Sequence, residues 1–269
     1  MTFSDRFDRR PMMAVDVKGF GSSDDQRQED IQDGLITVLE QAAKRSHLRR
    51  KDWFVDFTGD GELAILPREV PESLLVDDYL RAFKAELTRY NRDRLANAHL
   101  RVRIAIHFGS AVRSGNGHYR GQGVVAVSRL VDSDVLRTAL AMSGADLAVI
   151  LSRPVFMDAV LQGYTTGNAE DYRRVEVRQK EFRSDAWILV PGHDIHAMDL
   201  DPASADDDTT SAPEDTTGGT PDASGARCGA PRASGGTDER TRGRPYPGVV
   251  NNFNDRVDVS GGVIGIKYE

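Results

Sequence analysis

The stretch that decides the fold is FVDFTGDGELAILP, residues 54–67. Two apolar runs flank a Thr-Gly-Asp-Gly segment, and an Asp-Gly pair between strand-like runs is typical of a tight β-hairpin turn. On this interpretation Asp60 is an exposed turn residue with no further role. The alternative is that Asp60 binds a metal ion, and the rest of the chain has to decide between the two.

Composition divides the 269-residue chain into three parts. Residues 1–194 have the apolar periodicity of a globular domain. Residues 195–248 are dominated by Asp, Thr, Ser, Pro, Gly, Ala and Arg, which cannot bury enough apolar surface to offset the entropy of ordering. We therefore expect a disordered linker there, followed by a β-prone segment at 249–269.

Bulk properties exclude several classes of protein. The net charge of −7 argues against a protein that coats nucleic acid. The single cysteine, Cys228, rules out a disulfide framework or a cysteine metal site within one chain. The opening MTFSDRFDRR has no apolar signal core, and no apolar run approaches the ~20 residues that cross a bilayer. We expect a cytoplasmic protein without a nucleic-acid or membrane partner.

Apolar periodicity predicts helices and strands in alternation. Helices are expected at about 25–45, 71–91 and 121–140. Strands are expected within 12–20 and at 52–57, 62–66, 100–109, 145–152, 173–180 and 185–191. This order gives an α+β fold of ferredoxin-like type, with two helices packed on one face of a mainly antiparallel sheet.

Two carboxylates stand at the ends of strand-like runs. Asp16 ends the first strand and Asp60 lies in the hairpin turn. In a ferredoxin-like sheet the first strand can lie beside this hairpin, and close carboxylates repel unless a hard cation such as Mg²⁺ or Mn²⁺ neutralises them. The loop at 16–21 adds backbone N–H groups near a helix N-terminus, which suits phosphate. Together these features indicate nucleoside triphosphate chemistry, with solvated strand ends as the alternative.

Five segments occur in the order seen in class III nucleotidyl cyclase domains, and roughly residues 11–192 resemble that family. The segments are MAVDVKGFG, FTGDGELAIL, RVRIAIHFGSAV, YRGQGVVAVSRL and RVEVRQKEFRSDAWIL. The resemblance implies a class III cyclase fold and a head-to-tail homodimer with active sites at the interface. It also implies two divalent cations, Mn²⁺ or Mg²⁺, and attack of the ribose 3′-hydroxyl of an NTP on the α-phosphate, which expels pyrophosphate.

By position, the resemblance implies which residues hold the metal and the phosphates. Asp16 and Asp60 become the metal ligands, and the carbonyl oxygen of Val17 assists them. The phosphate-binding loop is formed by three consecutive residues, Gly19, Phe20 and Gly21.

The same resemblance assigns residues to the transition state and to the base. Arg129 matches the arginine that stabilises the transition state, and Lys180 matches the lysine that meets the triphosphate. A solvated surface charge is the alternative for each. Asp56 and His118 occupy the base-binding positions and fit neither the adenylyl nor the guanylyl pattern. Val125 stands where an asparagine usually orients the ribose.

The C-terminal stretch VVNNFNDRVDVSGGVIGIKYE, residues 249–269, alternates apolar side chains and is punctuated by glycine. Such segments can stack as steric zippers. The stretch resembles bacterial amyloid-signalling motifs, so we expect an amyloid-like homotypic or effector-binding motif. The alternative is a terminal hairpin that packs on the domain or stays disordered.

The leading hypothesis is a nucleotidyl cyclase similar to the pyrimidine cyclases of Pycsar antiphage systems. It would convert UTP to cyclic UMP as a second messenger in abortive infection, because Asp56 can accept the N3 proton of uracil; CTP and GTP are the other candidate substrates. The rival hypothesis is a catalytically inactive cyclase fold that acts as a sensor or adaptor through the C-terminal motif. Val125 is the residue that favours the rival.

Overall fold

The structure, a computed structural model, describes residues 8–57 and 59–200 of the chain. Most of the predicted linker and the whole C-terminal motif at 249–269 lie outside the described residues. Packing continues to the end of the described part, where Ile195 and Leu200 are both buried. Within these ranges no helix is long and apolar enough to cross a membrane.

Eight strands make up the sheet in the described ranges. They are β1 (Asp8–Val17), β2 (Phe54–Phe57), β3 (Gly61–Ile65), β4 (Val102–Arg113), β5 (Tyr119–Arg120), β6 (Leu147–Ser152), β7 (Arg173–Gln179) and β8 (Phe182–Leu189). Their order is β2-β3-β1-β4-β6-β8-β7, and β5 pairs with β4. The β4–β6 pair is parallel and the other pairs are antiparallel. A parallel pair needs a long crossover, which two helices between β4 and β6 supply.

The predicted α+β fold, with helices packed on a mainly antiparallel sheet, is confirmed, and two helices pack on one face as predicted; the helices on the other face are an addition to the prediction. The longer helices are α1 (Asp25–Arg45), α3 (Leu80–Asn91), α4 (Gln122–Val131) and α5 (Asp134–Ser143). Short segments α2 (Glu72–Leu74) and a π-turn at Leu75–Tyr79 lead into α3, and α6 (Arg153–Val155) leads into a π-turn at Phe156–Val160. One core contains α1 and α3, and the other contains α4 and α5.

The reason for the two cores is visible in β1. Met13, Val15 and Val17 point into the core with α1 and α3, whereas Met12 and Ala14 point into the core with α4 and α5. Successive side chains of a strand alternate between faces, so a run that is apolar at every position is buried on both sides.

The predicted helix at 121–140 is two helices. Ser133 has extended backbone angles between α4 and α5, and its hydroxyl donates to the carbonyl of Leu130 at 2.7 Å. A serine side chain that bonds a nearby carbonyl competes with the helical ladder, and this satisfies the end of α4. The break turns the chain so that α5 can pack on the same face of the sheet.

A buried ion pair lies beneath the β2–β3 hairpin. Arg50, in the connection from α1 to β2, donates both terminal nitrogens to the carboxylate of Glu62. The Glu62 side chain is fully buried, and that of Arg50 is 14% exposed. The guanidinium also lies over the ring of Trp53, 5.5 Å from its centroid. The pair thereby ties the start of β2 to the start of β3.

Candidate functional site

The end of β1 and the turn between β2 and β3 meet at one edge of the sheet. The antiparallel register sets Asp16 opposite Gly61. The backbone N–H of Val17 donates to the carbonyl of Asp60 at 2.9 Å. The structure therefore brings together the two predicted metal ligands, which lie 44 positions apart in the sequence.

Gly61 is what permits this close approach. A Cβ atom at this position would lie 1.9 Å from the carbonyl oxygen of Val15. Any side chain would push the hairpin away from β1, because real Cβ atoms do not approach backbone so closely. The glycine after Asp60 thus sets the distance between the hairpin and the end of β1.

Arg103 is a site residue that sequence reasoning missed. It lies opposite Asp16 on β4, and its guanidinium donates to the Asp16 carboxylate. The side chains are 9% and 13% exposed, respectively. The sequence does contain an indication of it. In the alternating strand RVRIAIHF, Arg103 stands at a position where a buried apolar residue is expected. Only the register of β1 against β4 shows that this arginine meets Asp16.

Burial raises the pKa of Asp16 to about 6. The Arg103 guanidinium lowers the pKa of that carboxyl, and the charge of Asp60 raises it. The ionised form of Asp16 is therefore disfavoured, because Arg103 offsets only part of the effect of burial and of the Asp60 charge.

A divalent cation fits this donor set, because hard cations take carboxylate and carbonyl oxygens and would offset the repulsion between Asp16 and Asp60. No group of three or more His, Cys, Asp or Glu side chains in residues 8–57 and 59–200 is arranged to hold a metal. A cation here would therefore need main-chain, substrate or water oxygens as well as the two carboxylates.

The predicted phosphate loop connects β1 to α1. Gly19 has φ +88°, and a 3₁₀ turn at Phe20–Ser22 follows it. The hydroxyls of Ser22 and Ser23 both donate to the Gly19 carbonyl, at 3.0 and 2.9 Å. These bonds fix the loop at the end of β1. Since Asp24 caps α1 by accepting from the N–H of Arg27, a phosphate would meet the loop rather than the first turn of the helix.

A cavity of about 340 Å³ opens beside this loop. Its wall contains three cationic side chains, Lys18, Arg103 and Arg137, together with residues of α5. Arg137 is shared with Asp132 at 3.2 Å and Asp134 at 3.6 Å. Lys18 follows Asp16 by two positions in the chain. Arg103 lies opposite Asp16 in the pairing of β1 with β4. The cavity is therefore suited to an anionic group, and Arg103, in its wall, is the residue that pairs with Asp16.

The two predicted base-binding residues also come together. Asp56 lies on β2, and His118 precedes β5. The Nδ1 atom of His118 is 3.9 Å from an oxygen of Asp56, and both side chains are about half exposed or more. The His118 ring also meets Phe54 edge-on, with centroids 6.0 Å apart. The pair offers a carboxylate and an imidazole to a planar ligand at the surface.

The remaining predicted residues lie elsewhere on the chain. Arg129 is half-buried on α4, and Val125, one helical turn earlier, is 45% exposed. Lys180 is exposed in the two-residue turn between β7 and β8, with φ +54°. In the part of the chain that the structure describes, neither Arg129 nor Lys180 makes a hydrogen bond or ion pair with Asp16 or Asp60. Within one chain, the predicted transition-state and triphosphate residues are therefore not in contact with the predicted metal ligands.

The fold is similar to that of a solved cyclase structure. An adenylate/guanylate cyclase/hydrolase from Silicibacter pomeroyi matches with a TM-score of 0.50 and 17% identity, over 70% of this chain and 99% of that one. The guanylyl cyclase Cya2 matches with a TM-score of 0.49 and 12% identity, over 69% and 92%. No protein-family model and no curated protein matches the sequence. The chain has the mixed α+β fold of class III nucleotidyl cyclase domains, with helices on a mainly antiparallel sheet.

Proposed function

We propose that the protein is a nucleotidyl cyclase that converts an NTP to a 3′,5′-cyclic nucleotide and pyrophosphate. The observation that carries the proposal is the meeting of Asp16, Asp60 and Arg103 at the end of β1, beside a cationic cavity. In the reaction a bond forms between the ribose O3′ and the α-phosphorus, and the bond from that phosphorus to the pyrophosphate oxygen breaks. The 3′-hydroxyl proton leaves to solvent or to a base.

In this proposal some residues of the chain bind the metal ions and others contact the phosphates. Asp16 and Asp60 would hold divalent cations, Mn²⁺ or Mg²⁺, and the Val17 carbonyl would assist. When bound, such cations lower the pKa of a coordinated hydroxyl and offset the charge of the triphosphate. Arg103 favours the ionised form of Asp16 by donating to its carboxylate, and a guanidinium can also donate to a phosphate oxygen.

The phosphate loop lies directly after these ligands in the chain. Gly19, Phe20 and Gly21 would bring main-chain groups to the triphosphate. Lys18 and Arg103 would supply charge from the wall of the adjoining cavity. Phosphoryl transfer needs mainly positioning and positive charge around the departing oxygens, and this arrangement offers both.

Base selection rests with Asp56 and His118 in this proposal. The Asp56 carboxylate is an acceptor, so it favours a base that presents an N–H group, as uracil does at N3.

We predict that UTP is turned over with a higher kcat/KM than ATP. Asp56→Lys should reduce kcat/KM for UTP about 10-fold or more, since a hydrogen bond to a charged group contributes about 1.5–3 kcal/mol. Steady-state rates with each NTP measure this, and an unchanged ranking in the variant would remove Asp56 from base selection.

Arg129 and Lys180 would act from a second subunit. Neither makes a hydrogen bond or ion pair with Asp16 or Asp60 among the described residues, and a homodimer with sites at the interface would bring the two groups together from different subunits. Mixing an Asp60→Ala protein with an Arg129→Ala protein should restore activity, because half of the sites in each heterodimer then have both residues intact. The measurement is product formation after subunit exchange, with exchange followed by fluorescence transfer between labelled subunits. Complete exchange without recovered activity would contradict shared sites.

The cellular role in this proposal is a Pycsar-like messenger synthase in antiphage defence, with 249–269 as an amyloid-like homotypic or effector-binding motif. Both statements rest on the sequence resemblance. The second candidate function is an inactive cyclase fold that serves as a sensor or adaptor. It is favoured by Val125, whose exposed side chain on α4 provides no hydrogen bond where a ribose-orienting asparagine is expected.

A further inference from the structure

A hydrogen bond joins the tip of the β7–β8 hairpin to the end of α4. The side-chain amide of Gln179, the last residue of β7, donates to the main-chain carbonyl of Asp132 at 2.8 Å. Asp132 is the C-cap of α4, and the last carbonyls of a helix have no partner within the helix. The bond therefore satisfies a carbonyl at the helix end and attaches the hairpin to that helix.

The hairpin tip has few other ties to the domain. The side chains of Lys180 and Glu181, which form the turn, are exposed. Phe182, which pairs with Gln179 across the hairpin, packs against the core that contains α4 and α5. In the part of the chain that the structure describes, no other hydrogen bond links 178–183 to a segment outside the hairpin. Gln179 is therefore the polar anchor of the tip.

Lys180 has a backbone conformation that needs such an anchor. Its φ of +54° lies in the left-handed region, which disfavours residues with a side chain. Conformations of this kind persist only where the surrounding structure imposes them, and they are frequent at functional sites. Gln179 is held on one side by its pairing with Phe182 and on the other by Asp132. These constraints fix the backbone from which the Lys180 side chain starts.

We propose that Gln179 is a positioning residue that holds Arg129 and Lys180 as one unit. Its hydrogen bond reaches α4 at Asp132, three positions after Arg129, and starts from the residue that precedes Lys180. The inference rests on the proposed function, in which both cations act on the substrate bound to the metal ligands of the other subunit. Phosphoryl transfer depends on charges at fixed positions, so loss of the bond lowers the rate although Gln179 does not touch the substrate.

Substitution of Gln179 tests this role by kinetics. Gln179→Met removes the donor and keeps the length of the side chain, and we expect kcat/KM for NTP to fall about 10-fold because the two cations are no longer held together. Gln179→Lys can still donate to a carbonyl at a helix C-terminus and should restore kcat/KM to within about 3-fold of wild type. Gln162→Met, at an exposed loop position, is the control and should match wild type.

The comparison is made on protein with wild-type circular dichroism, so that loss of fold does not enter the rate. Equal kcat/KM in Gln179→Met and Gln162→Met would overturn the proposal. A rate for Gln179→Lys as low as that for Gln179→Met would also overturn it, because the proposed role depends on the donated hydrogen bond.

Subunit mixing shows on which side of the site Gln179 acts. Gln179→Met mixed with Asp60→Ala should reach about 5-fold the mean activity of the unmixed proteins, since half of the sites in each heterodimer are then intact. Gln179→Met mixed with Arg129→Ala should show no gain, because no site then has both residues. A gain in the second mixture would contradict the placement of Gln179 with Arg129. The mixture of Asp60→Ala with Arg129→Ala tests the shared sites separately.

Hydrogen exchange in the full-length protein tests the anchor without reference to activity. We expect amides in peptides covering 178–183 to exchange 3-fold or more faster in Gln179→Met than in wild type, and at the wild-type rate in Gln162→Met. Unchanged exchange at the hairpin tip would overturn the positioning role. Absence of any cyclic product from the wild-type protein would refute the proposed function, while the exchange rates would still decide whether Gln179 anchors the hairpin on α4.

Discussion

Replacing Asp60 with alanine should reduce cyclic nucleotide formation by about 1,000-fold or more. A catalytic metal supplies several kcal/mol of transition-state stabilisation, and each 1.36 kcal/mol is a factor of ten in rate. Asp60 is the cleaner target of the two carboxylates because its side chain has no ion-pair partner among the described residues. Product formation with Mn²⁺ is measured by chromatography, and Mn²⁺ affinity by calorimetry.

Asp16 requires a more conservative change. Asp16→Ala would leave the Arg103 guanidinium buried without its partner, which adds a folding cost to any loss of activity. Asp16→Asn keeps the volume and an acceptor for Arg103 but removes the charge that a cation needs. We expect the same loss of activity as for Asp60→Ala, with the fold retained by circular dichroism.

An exposed carboxylate away from the site is the control for both variants. Asp158→Asn, an exposed position in the segment Phe156–Val160, should keep wild-type activity and Mn²⁺ affinity. Activity near wild type in either Asp16→Asn or Asp60→Ala would refute their assignment as metal ligands. Loss of activity with unchanged Mn²⁺ affinity would contradict it as well.

Removing one partner of the Arg50–Glu62 pair should lower the free energy of unfolding by about 3–5 kcal/mol, because a single buried charge is left without compensation. Glu62→Ala or Arg50→Ala tests this by urea denaturation. The double variant Arg50→Met/Glu62→Leu should recover most of the loss, since apolar residues of similar size can replace a buried pair.

The neighbouring Arg49 supplies the control for this prediction. It pairs with Asp52 at 3.1 Å, but its side chain is 70% exposed. Arg49→Ala should therefore change the free energy of unfolding by less than about 1 kcal/mol. A cost for Glu62→Ala no greater than that for Arg49→Ala would show that the buried pair does not hold the β2–β3 hairpin.

The sequence predicts most of the strands and the meeting of Asp16 with Asp60, because alternation, turn chemistry and strand order are local or nearly local signals. Asp56 and His118 lie close together, 3.9 Å apart, and their assignment to the base stays a prediction. Arg103 and the Arg50–Glu62 pair could not be predicted in this way. Their partners are set by strand register and by a loop connection, which local periodicity does not encode.

The second helix layer was missed for a similar reason. The apolar runs of β1 and β6 already indicated burial on both faces, yet the helix at 121–140 was expected as one element. Ser133 breaks that element through a side-chain bond to Leu130. The choice of base, the linker and the motif at 249–269 remain predictions from sequence.

Incubation of the purified full-length protein with each of the four NTPs and Mn²⁺ tests the central proposal most directly. We predict one dominant 3′,5′-cyclic nucleotide, cyclic UMP from UTP, with one pyrophosphate released per product and no reaction when the metal is chelated. Binding of nucleotide with no cyclic product from any NTP, at any divalent metal tested, would contradict catalysis and favour the inactive sensor.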